Sequence, residues 1–488
     1  MLMPIPRLPA LGRRSLVLGG AAALAASGFG RVPPVRAAES PASDPTTIRL
    51  AACPGRAALV GAPHPQTAVW GYDGLVPGPE IRVRQGGRLR VVLENRLPEQ
   101  TTIHWHGLRV SNAMDGVPHL TQDPVPPGGS FAYEFEVPDA GTFWYHPHHR
   151  GFEQVGRGLH GALVVEEREP ALRVDREVTW VLGDWRLLGD ASISDDFGAR
   201  HDMSHAGRIG NTVTINGRVP DGPVAVRAGE RIRLRLVNAA TARIFGLEFE
   251  GHRPVVVALD GHPVEPHTPE GGRVVLGPGM RADLVLDMVG DPGRRFAVID
   301  AFYERLAYRL ADVAYAAAPP LRAHPLDAPV RLPANPLPEP DLGDGAARHE
   351  VVFGGGMMGG MTGAELHGRH LGMRELLRHG MAWAVNGVAA SGHVHEPMFV
   401  LERGRTCVVS LRNDTAWWHP IHLHGHAFRI TARNGAPTPR REWRDTVLMA
   451  PREAVDIAFV ADNPGDWMLH CHVLAHQAGG MAGAVRVA

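Results

Sequence analysis

"YDGLVPGPEIRVRQGGRLRVVLENRL", residues 72–97, decides the fold because the chain states it three times. "INGRVPDGPVAVRAGERIRLRLVNAA" (215–240) and "VNGVAASGHVHEPMFVLERGRTCVVSLRND" (385–414) follow the same plan. Each copy opens on Asp-Gly or Asn-Gly, passes through an alternating stretch and a turn bearing Gly and Arg, and ends on a second alternating strand that reaches Asn. Runs such as R-L-R-V-V-L and R-I-R-L-R-L have the period of two that marks a half-buried strand. The copies start at 72, 215 and 385, far enough apart for one β-sandwich each. With linkers near 168–176 and in the Pro-rich 318–342, the expected architecture is all-β. It comprises three consecutive Greek-key β-sandwich domains, at about 45–168, 175–318 and 345–488.

The bulk numbers allow this and exclude other classes. A chain of 488 residues holds two to four real cores. A formal charge of −1 gives no basis for a nucleic-acid or anionic-membrane partner. The 58 glycines and 42 prolines suit many short strands and turns. Histidine is the outlier at 27 copies, clustered beside one of only three cysteines, and that combination points to metal. At the N-terminus, Arg13 and Arg14 precede an apolar Ala/Gly-rich stretch too short for a membrane span, and Val35–Ala37 offers small residues for cleavage. Residues 1–37 read as a twin-arginine export signal, with an uncleaved anchor as the alternative. The mature protein is expected in the periplasm as a monomer without a membrane span.

Four His-x-His pairs carry the chemistry: His104/His106, His146/His148, His422/His424 and His470/His472. On a strand, residues i and i+2 face the same way, so each pair offers two imidazoles in one direction. Two pairs fall in the first domain and two at corresponding places in the third. The second domain has "TARIFGLEFEGH" at that place, with no such pair, and reads as a spacer without metal. Between His470 and His472, Cys471 points the opposite way and so belongs to a second site joined covalently to the first. His476 and Met481, on the loop that follows, can return to that thiol, and His419 is the spare imidazole. A thiolate, two imidazoles and a weak thioether make a blue-copper electron-transfer site.

"HWHG", "WYHPHH", "HPIHLHGH" and "HCHVLAHQAGGM" resemble the four copper motifs of the multicopper oxidases, the family of laccases, ascorbate oxidase, bilirubin oxidase and bacterial copper-efflux oxidases. The resemblance covers the mature chain and implies cupredoxin-like domains holding four copper ions. It places His419, Cys471, His476 and Met481 on type 1 copper, and His104 and His422 on type 2. His106, His146, His148, His424, His470 and His472 then fall on the type 3 pair. It further implies that a small-molecule or metal-ion reductant gives electrons at an exposed type 1 imidazole edge. They pass through Cys471, His470 and His472 to reduce O2 to water. Phenols, aromatic amines and low-valent metal ions are the candidate reductants, with a cuprous oxidase for copper tolerance as the alternative. A copper-free structural relative would lack these histidines, and nitrite reductase does not use this four-motif set.

Three departures stay open at this point. Asp115 matches the family's first proton-delivering acid, but the second position holds Gln477, whose amide is no acid. Thr415 and Trp417 stand where efflux oxidases place ligands for a substrate cuprous ion, while "GGGMMGGMTGAELHGRHLGMRELLRHGM" (354–381) is dense in Met and His. That segment is either a Gly-rich flap leading into a short helix or a copper-handling element. Cys53 and Cys407 either pair in an oxidising compartment or remain two buried free thiols, the preferred reading.

Overall fold

Each copy of the repeat folds into the same device, and the device explains its residues. The opening pair is a turn with both residues in the left-handed region: Asp73 and Gly74 (φ 56° and 71°), Asn216 and Gly217 (51° and 74°), Asn386 and Gly387 (49° and 77°). Asp and Asn tolerate that region because their side chains bond locally, and Gly because it has no Cβ. The side chain is also a clamp. Ala51, Val181 and Val352 each donate a backbone N–H to the oxygen of Asp73, Asn216 or Asn386, at 2.8–2.9 Å. The strands that follow, Arg88–Asn95, Arg231–Asn238 and Thr406–Asn413, each run parallel to the first strand of their own domain.

The terminal Asn of each strand is buried and fully bonded. Its amide donates to two carbonyls: Glu99 and Val125 for Asn95, Arg243 and Leu276 for Asn238, Trp417 and Ala450 for Asn413. Its Oδ1 accepts the N–H two residues further on. A buried amide with all these bonds made fixes the turn leaving the strand. In the first and third domains that turn aims a histidine-bearing strand.

The computed structural model describes residues 45–169, 172–328, 330–392 and 396–488; the expected export signal at 1–37 lies outside them. The described chain forms three consecutive cupredoxin-like Greek-key sandwiches. The first packs the sheet built on Thr46–Ala57, Thr67–Tyr72, Arg88–Asn95 and Ser130–Glu136 against that of Ile81–Arg84, His104–His106, Gly141–His146 and Gly161–Glu166. Leu50, Val91, Trp105, Tyr133, Phe143 and Leu163 fill the space between them. The second pairs a six-stranded with a five-stranded sheet, its strands falling between Arg176 and Tyr315. The third lies between Ala347 and Val487, and its inner sheet includes His419–Leu423 and Gly465–Cys471. No helix among the described residues is long and apolar enough to cross a membrane.

The Met-rich segment divides in two. A hairpin (Gly363–Leu366 with Arg369–Gly372) and the helix Met373–Arg378 close over a small core in which Met361 and Met381 pack on Leu366, Leu371 and Leu376. Met357 and Met358, by contrast, are 48% and 72% exposed. Cys53 and Cys407 are free thiols; Cys407 is buried, but Cys53 is only half-buried because it lies on a part of Thr46–Ala57 that alternates between buried and exposed positions. The expectation of two buried thiols therefore holds for one.

Candidate metal centres

The strand pair His104–His106 with Gly141–His146 sets His104 opposite His146, and the pair His419–Leu423 with Gly465–Cys471 sets His422 opposite His470. The two pairs meet face to face. His104 stacks on His424 at 3.9 Å and His106 on His422 at 3.7 Å, while His146 lies 5.2 Å from His472 and His148 5.1 Å from His470. The eight rings are 8% exposed or less. Burial first, then the neighbouring rings, hold His106, His146, His148, His424, His470 and His472 well below their ordinary pKa, so these are neutral imidazoles with free lone pairs.

Which nitrogen faces inward follows from what holds the other one. His104 Nδ1 donates to the Asp115 carbonyl (2.8 Å), His146 Nδ1 to the Pro147 carbonyl (3.0 Å), His422 Nδ1 to the Asp445 carbonyl (2.8 Å) and His470 Nδ1 to the Cys471 carbonyl (2.9 Å). His424 Nδ1 meets Asp115 Oδ2 at 2.9 Å. These five present Nε2. His106 is reversed: its Nε2 meets Asp445 Oδ1 (3.2 Å) and Thr446 Oγ1 (3.1 Å), so Nδ1 turns inward. His148 Nδ1 lies 3.4 Å from the Gln477 amide, which carries both a donor and an acceptor. The inward atoms His104 Nε2, His106 Nδ1, His148 Nε2 and His422 Nε2 have no hydrogen-bond partner at all. Buried lone pairs without partners are costly, and a cation satisfies them. His104/His106/His146, His104/His422/His424 and His148/His424/His470 each bring three donor atoms within 4.8 Å, so this donor set fits metal.

Cys471 leaves the other face of the strand Gly465–Cys471, as alternation requires. His419 Nδ1 stands 3.3 Å from its sulfur and His476 Nδ1 3.7 Å, with 3.1 Å between the two nitrogens. His476 rides on a one-turn helix, Leu474–Ala478, rather than a loop. Met481 is fully buried in the core that contains Cys471, and their backbones are bonded at 3.1 Å. Burial pushes the Cys471 thiol up and His476 down to about 3, so the site charges favourably only around a cation. The outer nitrogens are tied too. His419 Nε2 bonds the Thr415 hydroxyl (2.8 Å), and His476 Nε2 donates to the His205 carbonyl (2.6 Å). Fixing the far nitrogen sets tautomer and ring orientation.

Two expectations need correction. Neither imidazole of the thiol site has an exposed edge; both are 0% exposed, because the segment around His205 covers them. That segment belongs to the second domain, which is therefore more than a spacer. The second domain also backs the eight-histidine site. Arg281 grips Asp445 with both Nη1 (2.8 Å) and Nη2 (2.5 Å), and Asp260 faces the same pair. Gly279 (φ +84°) lies so close that a Cβ there would come within 2.9 Å of His106 and His472. Burial would push the Asp445 carboxyl up, but Arg281 and His106 outweigh it and hold Asp445 well below the usual carboxylate range. Sequence reasoning missed Asp445, Thr446, Arg281 and His205. The available signal was charge inside apolar strands, as in "RADLVLD" and "RDTVLM".

Asp115, expected as a proton carrier, is buried and touches both domains' rings. Its Oδ1 lies 3.2 Å from His104 Nδ1 but has no hydrogen-bond partner of its own, since that N–H goes to the carbonyl. A pocket of about 310 Å³ lies against His148 and Gln477, walled by Val117, Arg150 and Leu474.

Family models described as multicopper oxidase match residues 58–170, 176–313 and 373–488. The Mycobacterium tuberculosis multicopper oxidase MmcO is 30% identical over 467 residues, 89% of this chain and 86% of that protein. A solved multicopper oxidase of Pseudomonas thermotolerans is 36% identical with a TM-score of 0.79, covering 91% of this chain and 99% of that one. A Campylobacter jejuni multicopper oxidase described as a metallo-oxidase is 28% identical with a TM-score of 0.74, covering 91% and 92%.

Proposed function

The chain belongs to the multicopper oxidase family, and on that premise we propose that it is a periplasmic oxidase whose O2 reduction is fed by low-valent metal ions. Type 1 copper is assigned to His419, Cys471, His476 and Met481, and type 2 to His104 and His422. The type 3 pair is assigned to His106, His146, His148, His424, His470 and His472. Copper in these sites supplies one-electron redox steps and the reduction of O2 to water.

The protein's own part is to hold, connect and exclude. Cys471 and its chain neighbours His470 and His472 join the two centres through a few covalent bonds. Asp115 fixes His424 through Oδ2 and offers Oδ1 as a place for a proton beside the cluster. Gln477, beside His148, cannot serve as that acid. The pocket against His148 is the assigned route for O2 and water.

The observation that favours metal ions is the cover over His476. An aromatic reductant needs contact with a type 1 ring, and both rings are fully buried under the His205 segment. The surface there carries His201, Met357 and Met358, which suit a soft ion. A second reading, phenol oxidation, is favoured by one feature: Trp418, next in chain to His419, is 39% exposed and lines a cleft of about 720 Å³ between the second and third domains. Oxygen uptake with Cu(I), Fe(II), Mn(II) and a set of phenols separates them. Higher kcat/KM for a metal ion supports the first reading, and higher kcat/KM for phenols refutes it.

A further inference from the structure

The peptide that covers His476 carries a pair of histidines that no copper motif includes. His201 and His205 stand one helical turn apart, on and just after the short helix Arg200–Ser204. Their rings stack at 4.1 Å and within 10° of parallel. His205 Nδ1 is taken up by the His201 carbonyl (3.0 Å) and the Ser204 hydroxyl (3.0 Å), which leaves Nε2 as its free lone pair. The His201 side chain is 79% exposed. Nearby Asp202 is already gripped by Arg186 at 2.7 and 2.9 Å, so it offers no competing charge.

The same peptide is bolted to the thiol site at several points. The His205 carbonyl accepts from His476, the Met203 carbonyl accepts from the Trp383 indole that packs 4.3 Å from His476, and Thr241 of the same domain accepts from Leu474 N–H at 3.0 Å. The exposed methionines adjoin it. Met357 N–H donates to the Ser204 carbonyl (2.8 Å), the Trp417 indole donates to the Met357 carbonyl (2.8 Å), and the Trp417 ring meets His205 edge-on at 5.4 Å.

We propose that His201 and His205 form a surface docking site for cuprous ion, flanked by the Met357 and Met358 thioethers, and that its electron enters the type 1 centre along the His205–His476 hydrogen bond. This rests on the metal-ion reading above and names its place. Two imidazoles one turn apart on a helix are a ready pair of ligands, and thioethers select the monovalent state of copper. The step balances: the docked Cu(I) loses one electron and becomes Cu(II). Four such electrons with four protons convert one O2 into two waters, the reaction the oxidase already performs.

The test uses copper-replete, fully reduced holoenzyme without oxygen, titrated with Cu(I) against a coloured Cu(I) chelator after its resident copper has been fixed by metal analysis. The parent should bind one further Cu(I). His201→Ala/His205→Ala, which deletes both rings and keeps the His205 carbonyl, should weaken that binding by about 100-fold or more, since even outer partners of a metal site cost 10- to 100-fold. At equal blue absorbance, its KM for Cu(I) should rise at least about 10-fold with kcat held. His201→Ala alone, at an exposed ring, should lie between the two and guards against a folding defect in the pair. Unchanged Cu(I) affinity in the double variant overturns the docking site. So does a parent that oxidises Cu(I) but binds no further ion. A parent that oxidises no metal ion overturns the metal-ion reading itself.

Discussion

Arg281→Leu probes the one charge that ties all three domains to the histidine cluster. Arg281 is fully buried and donates to Asp445 twice, to the Asp260 carbonyl (2.9 Å), to the Thr142 carbonyl (3.2 Å) and to the Gly279 carbonyl (3.1 Å). Leu makes none of these bonds and leaves the Asp445 carboxylate buried with only His106 and Thr446 beside it. Breaking a buried ion pair by removing one partner costs about 3–5 kcal/mol. Against a total stability of about 5–15 kcal/mol the chain still folds, with the copper-free melting midpoint down by on the order of 5–10 °C. The chemical consequence is local. Asp445 loses the fork that aims it at His106 Nε2, and so His106 loses the constraint that turns Nδ1 inward. Loss of such an outer partner costs about 10- to 100-fold in metal affinity. Chelator competition should show that copper assigned to the eight histidines is released more readily, while the blue band of the Cys471 site persists. Arg281→Lys keeps the charge without the planar fork and should fall between. If Arg281→Leu keeps the parent's copper affinity and melts within about 1 °C of it, Arg281 is not holding the cluster.

Three further outcomes follow from the same geometry. Cys471→Ser should abolish the blue absorption and nearly all oxidase activity, while copper is still found on the eight histidines; an intensely blue variant refutes the thiolate assignment. Asp115→Asn should leave copper content and reduction of the blue band intact but slow reoxidation by O2 about 10²- to 10⁴-fold, the loss expected for a general acid. Gln477→Glu should partly restore that rate, and stopped-flow absorbance reads both; parent-rate reoxidation in Asp115→Asn places the protons elsewhere. Copper-free protein should lose stability on acidification between about pH 6.5 and 4 because burial lowers His160 and His262 to about 4. Their depressed folded pKa means the unfolded chain takes up protons first. The stability is therefore whole above pH 6.5 and drains as pH falls towards 4, by roughly 3 kcal/mol for each histidine. Denaturant midpoints measured across that range should flatten in His160→Leu, and an unchanged slope refutes the assignment.

The fold and the ligands were legible because both are written in local, repeated signals. Asp73, Asn216 and Asn386 occupy one turn three times, and Asn95, Asn238 and Asn413 close one strand three times, with the same bonds in each copy. A residue whose side chain bonds only to its neighbours in sequence or in its own sheet is readable from a pattern. The His-x-His pairs are readable for a similar reason, since strand alternation alone turns both rings of a pair to one face. Even the division of labour at 470–472 needs no tertiary information: alternation sends Cys471 one way and its flanking rings the other.

What stayed hidden lies across domain boundaries. Nothing near Arg281 in the sequence announces Asp445, 164 residues away, and nothing near His476 announces a carbonyl 271 residues upstream. A backbone carbonyl carries no residue identity, so no sequence pattern could have shown that His476 is capped by His205. The cap changes the functional reading. An exposed type 1 imidazole invites direct contact with an aromatic reductant, whereas a capped one takes its electron through a hydrogen bond from whatever sits above. The second domain lacks copper ligands, yet it supplies both that cap and the Arg281 fork. Two domains thus hold the assigned copper ligands, while the third covers the thiol site and fixes one ring of the histidine cluster. Exchanging peptide 200–209 for that of a relative with an uncovered type 1 site should therefore move reductant preference from metal ions towards phenols without altering a single assigned copper ligand.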